Sequence, residues 1–140
     1  MKKRKYTMIV IVLIILILLM IFGKKLYAKY KEPEIVELGN FNLADSQYQW
    51  GIENFPSNKN VGPTENAETA VKKAKNLWIE DLSMWVGKNR NPINGRAIEV
   101  SYDSKNECWH VNGTLAPNVW GSVPNVLIKK DGTVLAVWMD

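Results

Sequence analysis

The chain has 140 residues, of which 46% are hydrophobic and 23% are charged, values that exclude a fibrous or wholly disordered protein and indicate one ordinary domain. The net charge of +4 is unevenly distributed, because residues 1–31 contain eight of the 18 basic residues and no acidic one. Residues 32–140 contain 10 basic and 14 acidic residues, a net charge of −4. A nucleic-acid-binding surface built on bulk positive charge is therefore excluded, and no nucleic-acid partner is expected.

The N-terminal segment is typical of a membrane anchor. Residues 1–5 form a basic flank, and a predicted transmembrane helix over residues 6–23 contains the unbroken apolar run Met8–Phe22. A cleavable signal peptide is the alternative, but its best cleavage point, after Ala28, lacks a small residue two positions earlier, at Leu26. The denser basic cluster before the span places the domain on the extracytoplasmic side. The sequence therefore predicts a single-pass cell-membrane protein with a retained anchor.

The next segment, residues 24–62, is interpreted as a linker that packs in part on the domain. It contains a possible short strand around Ile35–Leu38, and its aromatic residues are too numerous for a plain tether. The run PSNKNVGP at residues 56–63 has the composition of a loop. The domain itself is assigned to residues 63–140.

One amphipathic helix opens this domain. Thr64 is a suitable N-cap, and Glu65 and Glu68 follow where the helix dipole favours acidic residues. Apolar residues then recur with a period close to 3.6 as far as Val86, and Gly87 is a natural end. The pattern predicts a helix from about residue 64 to residue 86.

The rest of the domain has the alternation of antiparallel strands, and Asp131-Gly132 is a hairpin turn with positive φ predicted at both positions. The predicted strands are Ile98–Asp103, Cys108–Leu115, Val126–Lys129 and Val134–Trp138. The predicted fold class is α+β, with one amphipathic helix packed on a three- to four-stranded antiparallel meander.

Groups capable of catalysis are scarce. Cys108 and His110 share one face of a strand with Cβ atoms roughly 7 Å apart, which is beyond hydrogen-bond reach for a thiolate–imidazolium pair. They are interpreted as a half-buried small hydrophobe beside a surface histidine. Glu99 and Asp103 are interpreted as solvated surface acids, and no zinc, calcium or phosphate motif is present. We therefore expect no catalytic residue, no metal and no cofactor.

The tryptophans carry the strongest remaining signal. Trp78 and Trp109 lie on apolar faces and are predicted to be core residues. Trp120 lies in a loop between two strands, where it either anchors a partner or folds back as a lid on the core. Gly121 lets the backbone turn tightly and Pro124 limits the conformations of the loop, so we expect a preorganised partner-binding surface. Its predicted residues are Asn118, Val119, Trp120 and Ser122.

Three stretches together carry a family resemblance. They are PTENAETAVKKAKNLW (Pro63–Trp78), EVSYDSKNECWHVNGTL (Glu99–Leu115) and WGSVPNVLIKKDGTVLAVW (Trp120–Trp138). In this order and spacing they resemble the NTF2-fold immunity proteins of bacterial polymorphic toxin systems. The matching positions include Trp78, Trp109, Val111, Gly113, Gly121, Pro124, Asp131 and Gly132.

The resemblance implies a trimmed NTF2-like domain that binds and neutralises a cognate toxin without catalysis. Combined with the anchor, it predicts a membrane-tethered immunity protein whose partner is a toxin protein. One alternative is a cell-envelope binding or inhibitor module for a peptidase or a cell-wall partner. Another is a small-ligand enzyme that uses an NTF2-like pocket, which a deep polar cavity would favour.

Overall fold

A computed structural model describes residues 2–29, 33–82, 97–115, 118 and 120–140. The chain divides into two compact units, Met1–Glu32 and Pro33–Asp140. The first unit contains α1 (Lys2–Lys29) and the second contains the rest of the described secondary structure.

The apolar side chains of α1 from Met8 to Phe22 are exposed within this unit. None of the helices in the described ranges combines the length and apolar character needed to traverse a bilayer. This finding contradicts the predicted anchor at residues 6–23, and with it the predicted cell-membrane localisation. The unbroken apolar run is 15 residues long, and at ~1.5 Å per residue it covers about 22 Å of a hydrocarbon core of roughly 30 Å.

The second unit is a five-stranded mixed sheet with strand order β1-β2-β3-β4-β5. Its strands are β1 (Ile35–Asn40), β2 (Ile98–Asp103), β3 (Cys108–Gly113), β4 (Pro124–Lys129) and β5 (Val134–Met139). The last four form an antiparallel meander, whereas β1 pairs with β2 in parallel. Two further helices, α2 (Ser46–Asn54) and α3 (Ala67–Asp81), belong to this unit.

The fold prediction is therefore wrong in three further respects: the sheet has a fifth strand, one strand pair is parallel, and one more helix, α2, is present. The strand β1 was hard to recognise because it is mostly exposed and a bulge between Glu37 and Gly39 interrupts its alternation. A parallel pair also requires a long connection, and the residues between β1 and β2 supply one that includes α2 and α3.

The helix α3 begins at Ala67, three residues later than predicted. Its N-cap is Asn66, whose side chain accepts a hydrogen bond from the amide of Thr69 at 2.8 Å. Thr64 lies before the helix, where its hydroxyl donates to the carbonyl of Gly62 at 3.2 Å and its amide donates to the carbonyl of Lys130, at the β4–β5 turn. The predicted continuation to Val86 and Gly87 lies outside the described residues. At the turn itself, Gly132 has a φ of 93°.

The main core lies between α3 and one face of the sheet. The helix contributes a stripe of small and large apolar residues, and the sheet contributes inward-facing valines and isoleucines. Its buried members include Ala70, Ala74, Leu77, Trp78, Val100, Val111, Val126 and Val137. A smaller cluster lies on the opposite face under α2 and comprises Tyr48, Cys108, Leu127, Ala136 and Trp138.

Candidate functional site

The face of the sheet opposite α3 carries a row of polar side chains. In the strand register, Glu99 pairs with Asn112, Asn112 with Asn125, and Asn125 with Trp138. The adjacent register row, from Val100 across to Val137, belongs to the α3 core, so this row projects to the other side. We call Glu99, Asn112 and Asn125 the polar row.

A cavity of about 580 Å³ opens over this row. Its floor is formed by the sheet, and its walls come from the end of β1 and from α2. Four aromatic rings line it, those of Phe41, Tyr48, Trp50 and Trp138. Its polar lining residues are Asn40, Gln47, Glu99, Ser101, His110, Asn112, Asn125 and Asp140. This volume is in the range of small-molecule pockets.

A hydrogen-bond chain orders the centre of the cavity. His110 Nε2 lies 2.9 Å from Asn125 Oδ1. The Asn125 amide nitrogen donates to the carbonyl of Val123 at 3.1 Å and to Asp140 Oδ1 at 2.6 Å. Since both hydrogens of this amide face acceptors, its oxygen faces His110, and Nε2 is the donor nitrogen of the imidazole.

The imidazole of His110 is held among aromatic rings. Its centroid lies 4.9 Å from that of Tyr48 in an edge-on arrangement and 6.2 Å from that of Trp138 in a stacked one. Burial lowers the pKa of His110, although the hydrogen bond to Asn125 and the charges of Asp140 and Glu99 act in the opposite direction. The interpretation of His110 as a surface histidine is therefore wrong, and it is neutral at pH 7.

The two carboxylates of the cavity approach neighbouring asparagines. Glu99 Oε2 accepts from Asn112 Nδ2 at 3.0 Å, while Asp140 Oδ1 is bound by Asn125. Asn112 and Asn125 are paired across β3 and β4, so their Cα atoms are about 4.5–5.5 Å apart. Among the described residues that line the cavity, none is lysine or arginine. Its charged groups are thus both negative.

Asp103 and Cys108 have structural environments. Asp103 is buried and accepts hydrogen bonds from the amides of Leu43, Lys105 and Asn106 and from the Asn106 side chain, so it is not the solvated acid predicted. Burial raises the pKa of the Cys108 thiol to about 12, with a further contribution from Asp103. A thiol with this pKa stays protonated and is a poor nucleophile.

The predicted partner-binding loop lies beside β4. Trp120 is 96% exposed, and Asn118 and Ser122 are also exposed. Val119 lies outside the described residues. At the base of the loop, Val123 and Asp140 exchange two backbone hydrogen bonds, of 2.7 and 3.2 Å. Val123 also lines the cavity, so the loop joins the cavity at this point.

Most residues that carry the family resemblance lie away from this loop and cavity. Trp78 and Val111 are buried in the α3 core, and Trp109 packs against that core. The indole nitrogen of Trp109 donates to the carbonyl of Thr64 at 2.9 Å. Among the rest, Gly113 and Pro124 are buried strand residues, Asp131 and Gly132 form the hairpin turn, and Gly121 is exposed.

The sequence reasoning missed the polar row and the aromatic wall. A signal was present, because Glu99, Asn112 and Asn125 are polar residues in strands whose other face is strictly apolar. Without the register, however, three polar residues on separate strands do not indicate a common site. Within the described ranges, no group of three or more acidic, histidine or cysteine side chains could hold a metal ion.

Comparison with known proteins gives no relative. No family model matches the chain, and no curated protein or solved structure matches it. The resemblance to immunity proteins, drawn from short motifs, stays a prediction.

Proposed function

We propose that this chain is a non-catalytic binding protein that neutralises a bacterial toxin domain by covering part of the toxin's surface. The observation that carries the proposal is the exposure of Trp120, whose side chain is 96% accessible. A tryptophan contributes about 150–250 Å² of burial when it is covered, and it is enriched among the residues that dominate interface energies. The motif resemblance supplies the class of partner.

The loop that carries Trp120 is held at its base, which supports a role in binding. The paired backbone hydrogen bonds of Val123 and Asp140 fix one end, and Pro124 begins a buried strand directly afterwards. A binding residue next to a rigid support loses less conformational entropy on association than one on a long free loop. This arrangement favours an anchor over a lid, because a lid would bury the indole.

The chemistry of the two most reactive side chain types also supports binding. Cys108 is buried with a pKa of about 12, and its thiol donates to the carbonyl of Trp109 at 3.7 Å rather than to His110. Nucleophilic catalysis needs an activated nucleophile within hydrogen-bond reach of its base. The two residues do not form such a pair.

Stoichiometry distinguishes a binding protein from an enzyme. The proposal predicts a toxin domain encoded immediately upstream of this chain's gene, and the test titrates the activity of that toxin against the purified full chain. We expect activity to fall linearly and to vanish near a molar ratio of one. The Cys108→Ser variant should give the same titration, and a toxin from an unrelated pair should be unaffected. Inactivation at a small fraction of one equivalent, or no inactivation, would contradict the proposal.

A further inference from the structure

The cavity on the α2 side offers a ligand almost only hydrogen-bond acceptors at its polar row. Both amide hydrogens of Asn125 are used, on Val123 and Asp140. The Asn112 amide nitrogen likewise donates to Glu99 and to the carbonyl of Gly113. Three groups are left for a ligand: the amide oxygen of Asn112, the second carboxylate oxygen of Glu99, and the second carboxylate oxygen of Asp140 beside the row. All three are acceptors.

The charge of the cavity has one sign. Glu99 and Asp140 are its acidic lining residues, and no described lining residue is lysine or arginine. Because the imidazole of His110 is neutral, it does not offset them. Each carboxylate is held by a neighbouring asparagine, and these two asparagines are paired across β3 and β4.

The aromatic walls of the cavity add a second preference, for a cation carried on an aliphatic stem. Phe41, Tyr48, Trp50 and Trp138 surround the carboxylates with aromatic surface. Aromatic rings attract a cation placed over their faces, and they also cover the aliphatic stem that carries the cation. A neutral polar ligand would satisfy the acceptors less well, and an anion would be repelled.

We propose that this cavity binds the ammonium or guanidinium end of an aliphatic side chain, as found in lysine, arginine and simple polyamines. The cationic head is attracted by the carboxylates of Glu99 and Asp140 on the floor of the cavity, and the stem contacts the aromatic walls. The ligand is either a free amine or a residue presented by a partner protein, and the chemistry of recognition is the same for both. This site is separate from Trp120 and does not depend on the proposed toxin partner.

The test is calorimetric titration of the full chain with matched small probes. Capped lysine (N-acetyl-lysine methylamide) and capped arginine represent a partner's side chain, while cadaverine and agmatine represent free amines. Capped norleucine has a similar stem without the charge. We expect at least one cationic probe to bind about tenfold or more tightly than capped norleucine. Binding of the capped residues indicates a partner's side chain, and binding of the amines alone indicates a free ligand.

Isosteric variants locate the binding. Glu99→Gln and Asp140→Asn remove one charge each, and we expect each to weaken the cationic probe by about fivefold or more. Glu53→Gln, an exposed acid on α2 outside the cavity lining, should change the affinity less than about twofold. Equal binding of charged and neutral probes to the unchanged protein would overturn the proposal, as would unaltered affinity in both cavity variants. Absence of binding by every cationic probe at 10 mM would also overturn it.

Discussion

The two faces of the sheet differ in the side chains that they present and in how completely a helix covers them. The α3 face presents Val100, Val111, Val126 and Val137 in one register row to a helix of matching apolar residues, and it is closed. On the α2 face, a short helix covers only part of the sheet and leaves the polar row under a cavity. The comparison shows that the same strands carry a closed apolar core on one face and, on the other, an open polar cavity beside a smaller core.

The largest expected effect concerns the turn that supports the α3 side. Gly132 has a φ of 93°, and a Cβ atom there would lie 2.2 Å from the carbonyl oxygen of Gly62. Gly132→Ala should therefore lower the free energy of unfolding by more than about 4 kcal/mol or prevent folding. Gly39→Ala is the matched control, since Gly39 has a φ of 87° but open space around it, and it should cost only about 1 kcal/mol. Equal losses in the free energy of unfolding for Gly132→Ala and Gly39→Ala, measured by denaturant unfolding, would show that Gly132 does not lie close to Gly62.

A second test addresses the α3 core itself. Trp78 is buried, so Trp78→Ala should cost about 3–5 kcal/mol through the cavity that it creates. The indole nitrogen of Trp78 has no hydrogen-bond partner in the described structure, so Trp78→Phe loses no bond and should cost less than half as much. On the other face, Trp50 is 47% exposed, and Trp50→Ala should cost about 1 kcal/mol or less. A Trp78→Ala loss as small as that of Trp50→Ala would remove the distinction between the faces.

Asp103, on the α2 side of the sheet, is expected to give an intermediate loss of stability when it is substituted. Burial raises the pKa of its carboxyl, but the hydrogen bonds from Asn106, Leu43 and Lys105 outweigh this and hold the pKa below its usual value. Asp103→Asn replaces an acceptor with a donor facing two of these donors, and should cost about 2–3 kcal/mol at pH 7.

The same residue predicts a pH dependence. Since the folded pKa is lowered, the stabilisation by Asp103 is fully present above its unfolded pKa of about 3.9 and is lost as the pH falls through the folded value. The difference in free energy of unfolding between the parent and Asp103→Asn should therefore shrink as the pH is lowered below about 4. The control variant Glu53→Gln should stay close to the parent at each pH. A constant difference down to pH 2 would contradict the assignment.

The smallest effect is expected at Cys108, beneath α2. The thiol is buried and its pKa is about 12, so it should react with a disulfide reagent at pH 8 only when the domain opens. We expect labelling in native buffer to be at least about a hundredfold slower than in denaturant. Fast labelling of the folded chain would show that the reagent reaches Cys108, in β3, from the α2 face without opening of the domain.

The sequence predicted the regular elements better than the site. Alternation located β2 to β5 to within a few residues, because one face of each strand packs on α3 and is strictly apolar. It indicated only a possible short strand around Ile35–Leu38 and did not place β1 in the sheet, because an exposed edge strand gives no alternation and the parallel pairing depends on a distant segment. The helix α3 was predicted, but its start was misplaced, because both Thr64 and Asn66 are suitable N-caps by residue type and the side chain of Asn66 is the one that caps the helix.

The cavity could not be predicted because it depends on register. Glu99 and Asn125 are 26 positions apart and come together only when β3 lies between their strands. By contrast, the exposure of Trp120 was one of two alternatives that local sequence allowed, and the loop's composition did not decide between them. The structure places the indole in solvent.

The central claim is that Trp120 is an anchor for a protein partner, and one measurement tests it most directly. The dissociation constant of the complex with the upstream-encoded toxin domain is compared for the full chain and for Trp120→Ala. We predict that the dissociation constant of Trp120→Ala is about thirtyfold or more above that of the parent, equivalent to ~2 kcal/mol. Its free energy of unfolding should differ from the parent's by less than ~1 kcal/mol. The exposed Ile79→Ala on α3 should bind like the parent. A stable Trp120→Ala variant that binds the toxin domain as tightly as the parent would contradict it.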